Sequence, residues 1–195
     1  MAKQLPTNSV TVTARLSFAH LFEPSASVDG GKLKYRANLL IDPSTPEGKA
    51  DLKRIEVIRK AVELEKFKKS PKDYKDDRCC IRDGDTFESG KTGQTYDGYE
   101  GMVVIVASND RRPVVVDRDR TPLAADDGKP YSGCYVKANL RFYAVSGKDK
   151  GGDGFFCGLE AVQFYKDGDA FGAAPVDADD VFDDLTEEGG DDDIM

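Results

Sequence analysis

The chain has 195 residues, 33% of them charged and 39% hydrophobic, with no tryptophan, which suffices for one well-cored domain and a tail and leaves little room for a second core. No apolar run approaches the roughly 18 residues of a membrane span, and the amino terminus lacks the apolar stretch of a secretory signal, so a cytoplasmic location is expected. The net charge of -8 is unevenly placed: residues 176–195 hold ten acidic and no basic residues, which leaves residues 1–175 at +2, an asymmetry that suits polyanion binding.

From Val10 to Phe18 apolar and polar residues alternate, with β-branched enrichment, which predicts a strand. Turn residues follow over Pro24 to Gly31. A second strand is expected over Lys32 to Asp42, with Leu33, Tyr35, Ala37, Leu39 and Ile41 on one face and Lys34, Arg36 and Asn38 on the other. Thr45, Pro46 and Glu47 read as an N-cap, a first-turn proline and a dipole-compatible acid. Leu52, Ile55, Ile58, Ala61 and Val62 then recur at helical spacing, predicting one amphipathic helix to about Phe67. A lysine-rich stretch broken by Pro71 leads into a polar region ending near Gly98, which reads as loops or a hairpin. Met102 to Ala107 is a continuous apolar run and Pro113 to Asp117 a shorter one, two more strands separated by a turn at Asn109 and Asp110. Cys134 to Val145 and Phe155 to Tyr165 complete about six strands, joined by the glycine-rich loop Gly147 to Gly154.

Many strands, one helix and glycine-rich connections favour a small barrel over a fold with helices between strands. The expected architecture is a mainly β oligonucleotide-binding (OB-fold) barrel over residues 1–175, carrying one amphipathic helix. Residues 176–195 are too acidic and too poor in apolar surface to fold alone, so a disordered acidic tail is expected there.

Several chemistries are disfavoured. Cys79, Cys80, Cys134 and Cys157 have no zinc-site spacing, and His20 is the single histidine, which removes the usual base for nucleophilic catalysis. Asp83-Gly84-Asp85 and Asp126-Asp127-Gly128 do not match a calcium loop. Gly151 to Gly154 lacks the ending of a phosphate loop. No enzyme activity, metal or cofactor is expected.

The most informative segment runs from Tyr135 to Tyr143. Strand geometry places Val136, Ala138, Leu140 and Phe142 on one face and Tyr135, Lys137, Asn139, Arg141 and Tyr143 on the other. Rings interleaved with cations suit a single-stranded nucleic acid, since cations follow phosphates while bases stack on rings. An ordinary solvated strand face with tyrosine cross-strand partners is the alternative. Lys34 and Arg36 extend this track if their strand is a neighbour. Arg111, Arg112, Arg118 and Arg120 flank the short fourth strand and are candidates to grip phosphates, against the alternative of local salt bridging with Asp110, Asp117 and Asp119. Tyr96, Tyr99 and Lys91 offer rings and a cation beside the barrel mouth. The tail tip, Asp191-Asp192-Asp193-Ile194-Met195, joins carboxylates to two apolar residues, a form suited to competing with nucleic acid and then contacting a protein partner, or simply to solubility.

Taken together, the amino-terminal strand pair, the strand at Cys134 to Val145, the stretch from Gly158 to Gly168 and the acidic tail resemble the single-stranded DNA-binding proteins of tailed bacteriophages. The resemblance implies a protein that binds and protects single-stranded DNA in replication, recombination or repair in the host cytoplasm, with the tail contacting replication or recombination proteins. The tip also resembles that of bacterial single-stranded DNA-binding proteins, but ends in Met195 where those have Pro-Phe. A further departure is the helix after the second strand rather than the third, which a bent first strand counted as two would reconcile. A protein-interaction or chaperone-like module that ignores DNA, and a metal-dependent nuclease, are the competing classes.

Overall fold

The computed structural model describes residues 7–26, 30–68, 74–147, 149 and 151–172; the tail expected over 176–195 lies outside the described residues. The alternation that begins at Val10 produces β1 (Ser9–Ser25), longer than its periodic part. Its first half pairs antiparallel with β6 (Tyr135–Val145) and its second half with β2 (Lys34–Ile41). The handover needs a bend. From Ser17 to His20 β1 advances three residues while β2 moves two, Asn38 to Arg36. Phe18, inside that bulge, has φ 45, and the pattern of burial changes beyond it, which is why the alternation stops there.

After β2 come α1 (Pro46–Phe67), β3 (Ile81–Asp83), β4 (Val103–Asn109), β5 (Val114–Val116), β6 and β7 (Gly154–Lys166), hydrogen-bonded in the order β3-β4-β2-β1-β6-β7-β5. Six strands stand where the sequence predicts them, and β3 is the addition within the polar region. Closure falls to Cys80, whose N–H donates to the Phe155 carbonyl (2.9 Å) and whose carbonyl accepts from Val106 N–H (2.8 Å), tying β7 to β4. The circuit β1-β2-β4-β7-β6 is therefore a closed five-stranded OB-fold barrel. Its interior holds Leu16, Leu39, Ile105, Val136, Leu140, Phe142, Phe155 and Leu159, none more than 2% exposed. Burial pushes the thiols of Cys80 and Cys157 well up and that of Cys134 up to about 11, so these three remain neutral filling atoms.

The helix lies between the second and third barrel strands. β1 is bent yet counts once, so counting it as two does not account for the placement. Thr45 caps the helix by accepting from Gly48 N–H (3.0 Å), and Ile55 is buried with the barrel core. Over Ser9–Ala14 β1 has β6 on one side but not β2 on the other. There the buried Asp51 carboxylate accepts from Thr13 N–H (2.9 Å) and is itself paired with Arg54, supplying the bond a strand would have made. No helix among the described residues is long and apolar enough to cross a membrane.

The polar region before β4 folds back over the outside of the barrel. Tyr99 is 1% exposed, packed with Leu40 and Val104 beneath Phe87, Tyr96, Met102 and Phe171. Its hydroxyl donates to Ser17 Oγ (3.0 Å) and accepts from Asn38 Nδ2 (2.9 Å).

Candidate nucleic-acid interface

The outward faces of β2 and β4 form the floor of a cleft of about 890 Å³. β2 contributes Lys34, Arg36 and Asn38, and β4 contributes Val106 and Ser108. One wall comes from Phe18 and His20 of β1 with Lys32 of the β1–β2 connection; the other comes from Arg78, Arg82 and Phe87, with Tyr143 of β6 and Phe156 of β7 at the end. Five cations (Lys32, Lys34, Arg36, Arg78, Arg82) thus face one carboxylate, Asp77, among the lining residues. The rings of Tyr143 and Phe156 lie 5.9 Å apart, and partial burial raises the Tyr143 hydroxyl pKa.

Two arginines of the cleft are anchored to backbone carbonyls beside it. Arg36 Nη2 donates to the Ser25 carbonyl (2.6 Å) at the end of β1, and Arg78 Nη2 donates to the Gly152 carbonyl (2.8 Å) in the β6–β7 connection. Arg78 also lies over the Phe156 ring at 4.9 Å. Among the described residues, the buried side-chain nitrogen or oxygen atoms with no partner are Arg36 Nε and Arg78 Nε. A buried guanidinium donor without an acceptor is unfavourable in the free protein, and both arginines line a cleft rich in cations.

Beside the cleft, a hollow of about 420 Å³ continues past Lys34 and Tyr143 to Asn8, Asp110, Arg141 and Glu160. Asp110 accepts from Lys32 (2.8 Å) and stands 3.8 Å from Lys34; the hydrogen bond from Lys32, with the charge of both lysines, holds its carboxyl below the usual carboxylate value.

The structure divides the residues singled out from the sequence. The alternation from Tyr135 to Tyr143 is realised, with Val136, Ala138, Leu140 and Phe142 buried, but its outward face is split. Arg141 and Tyr143 border the cleft and its side hollow. Lys137 instead donates to Thr13 Oγ1 (3.1 Å), lies 3.9 Å from Glu47 of the helix and sits over the Tyr165 ring. Asn139 donates to Thr11 Oγ1, and Tyr135 lies between Arg15 and Lys166. These three form a separate patch, roughly 26 Å down the strand from Tyr143 at its far end. Nor is β2 a neighbour of β6, because β1 runs between them; Lys34 and Arg36 join Tyr143 across the barrel closure instead.

Tyr99 is corrected for the cleft: 1% exposed, with its hydroxyl held by Ser17 and Asn38 and its ring packed in the outer layer, it does not line the cleft. Tyr96 is half-buried, edge-on to Phe18 at 5.0 Å. Lys91 is exposed on a turn that lines none of these hollows. Arg111, Arg112, Arg118 and Arg120 are exposed, and among the described residues none forms an ion pair, so local salt bridging does not occupy them. Arg112 covers the Phe22 ring at 5.1 Å. Arg118 and Arg120 follow β5 at the Gln163 end of β7, roughly 23 Å along that strand from Phe156. The tip residues Asp191, Asp192, Asp193, Ile194 and Met195 lie outside the described residues. Sequence reading missed Phe18, Arg78, Arg82, Phe87 and Phe156, which stand singly in unpatterned stretches or beside buried residues and meet only on closure.

A closed OB-fold barrel with a cationic, ring-bearing cleft on its side belongs to the nucleic-acid-binding class of such barrels. Over residues 7–195 the sequence matches the family described as Enterobacter phage Enc34, ssDNA-binding protein, and the chain belongs to that family. It is 44% identical over 182 residues to protein p50 of Acyrthosiphon pisum secondary endosymbiont phage 1, covering 88% of this chain and 90% of that one. The fold is similar to the single-stranded DNA-binding protein from bacteriophage Enc34 solved in complex with ssDNA, with TM-score 0.70 and 25% identity, covering 88% of this chain and 97% of the other. A C-terminal truncation of that Enc34 protein matches with TM-score 0.67 and 23% identity, covering 87% and 96%.

Proposed function

We propose that this chain binds and protects single-stranded DNA with little sequence preference, as a non-enzymatic component of phage DNA replication, recombination or repair in the host cytoplasm. The observation that carries the reading is the cleft, where five cations and the rings of Phe18, Phe87, Tyr143 and Phe156 meet, with Asp77 the one carboxylate among the described lining residues and Asp110 paired to Lys32 and Lys34 at its side. Backbone phosphates take the cations and unpaired bases take the rings. The Arg36 and Arg78 guanidinium groups, anchored by the Ser25 and Gly152 carbonyls, add positioned positive charge to the cleft, and membership of a family whose solved relative holds ssDNA supports the same ligand. The acidic residues 176–195 compete for the cations when DNA is scarce and recruit replication or recombination proteins when displaced.

A titration of the full chain with oligothymidine, followed by tyrosine fluorescence, tests this. Arg36→Gln and Arg78→Gln together are expected to weaken binding by at least tenfold, since charge-assisted contacts are worth about 1.5–3 kcal/mol each. Replacing Tyr135, Lys137 and Asn139 should have a smaller effect. Unchanged affinity in the arginine pair, in a protein with an unaltered melting temperature, would remove the cleft as the binding face.

A further inference from the structure

Behind Phe18 lies a second hollow, of about 290 Å³, walled by the rings of Phe18, Tyr96, Tyr99 and Phe171, with Ser17, Ser132 and Asp97 as its polar side chains. Phe18 lines both this hollow and the cleft, so its side chain is the partition between them. Two features of Phe18 work against the free protein. Its φ of 45 is a strained conformation for a residue with a side chain, and the residue is 46% exposed. The bulge in β1 imposes the first, and Tyr96, edge-on at 5.0 Å and 76°, braces the ring in place. The bend of β1 accounts for the backbone; what it leaves is an aromatic ring half in water between two cavities, a surface for a ligand to cover.

We propose that this hollow is a base pocket that takes one nucleobase turned out of the strand lying in the cleft, stacked on the Phe18 ring. The proposal rests on the single-stranded DNA reading and adds a defined subsite to it. The volume equals the liquid share of about ten waters, room for one planar base. Ring-walled pockets with a few polar groups are how proteins hold extruded bases. The exposed Asp97 carboxylate repels phosphate, which orients the base rather than the backbone inward, and it accepts from an exocyclic amino group, as acidic side chains do from cytosine N4. One position of the bound strand therefore favours a base with an exocyclic amino group, cytosine, adenine or guanine, over thymine, while the rest of the cleft stays tolerant.

The test compares an all-thymidine oligomer with one of equal length carrying a single internal cytosine, using the full chain. The cytosine oligomer is expected to bind severalfold tighter, and Asp97→Ala, an exposed site whose replacement leaves the core intact, should abolish the difference. Phe18→Gly keeps the positive φ while deleting the ring. It should weaken both oligomers by about five- to a hundredfold, the worth of one stacked base, and should abolish the fluorescence quenching of a 2-aminopurine placed at that position. Arg36→Gln weakens both oligomers alike and preserves their ratio, which separates this pocket from the cleft. Equal wild-type affinity for the two oligomers, or discrimination that survives Asp97→Ala, overturns the pocket while leaving the cleft standing. Failure of the wild type to bind either oligomer overturns both.

Discussion

Asp110 stands against the function of the lysines it binds. By accepting from Lys32 at 2.8 Å and lying near Lys34, it holds two of the five cleft cations in the free protein. Asp110→Asn should therefore raise oligothymidine affinity severalfold at low salt, with the gain fading as ionic strength rises. The pH dependence has a definite sign. A depressed carboxyl pKa means that the ionised form is favoured by folding, so the pairing persists above the ordinary carboxylate value and is lost only as pH falls through the lowered one. Affinity measured from about pH 8 to 5 should show no step from this group. Of the cleft residues, Lys34, Arg36 and Tyr143 were legible, because each sits on a strand whose period-two pattern assigns its face. Phe18 was not, since the same pattern places it inward with Leu16; only the bulge turns it out.

At the scale of elements, local signals read well and long-range pairing did not. The helix limits, Pro46 to Phe67, follow from a capping threonine, a first-turn proline and apolar spacing, all within a few residues of the ends they define. β3 and the Cys80 seam follow from nothing local, because a three-residue strand has too few positions to show a period and the reason for it is Phe155, far along the chain. Gly48 shows how tertiary context reverses a propensity. In an ordinary helix interior Gly→Ala stabilises by roughly 0.5–1 kcal/mol, yet a Cβ at Gly48 would collide with the backbone carbonyl of Asp42. Gly48→Ala is expected to destabilise, seen as a lower urea midpoint with an unchanged slope. Asp51→Ala should cost about 1–3 kcal/mol, because it leaves Thr13 N–H without its acceptor on the open side of β1. Faster hydrogen exchange confined to Thr13 and its neighbours would distinguish that loss from a general weakening of the barrel.

For the whole molecule the governing quantity is where charge sits. Residues 1–175 carry +2 and residues 176–195 carry ten carboxylates without a cation, so the net charge of -8 describes neither part. If five cleft cations each neutralise one phosphate, the logarithm of affinity should fall with the logarithm of salt concentration at a slope of roughly -3.5, about -0.7 per contact for a single strand. The full chain should show a shallower slope, since salt weakens the competing carboxylates along with the DNA. Deleting 176–195 should accordingly raise affinity most at low salt, and the two curves should converge towards high salt. Parallel curves with a constant offset would mean that the segment lowers affinity by a salt-independent route and that its carboxylates do not contend for the cleft. Coincident curves would mean that the segment leaves DNA binding alone and has its role wholly with protein partners.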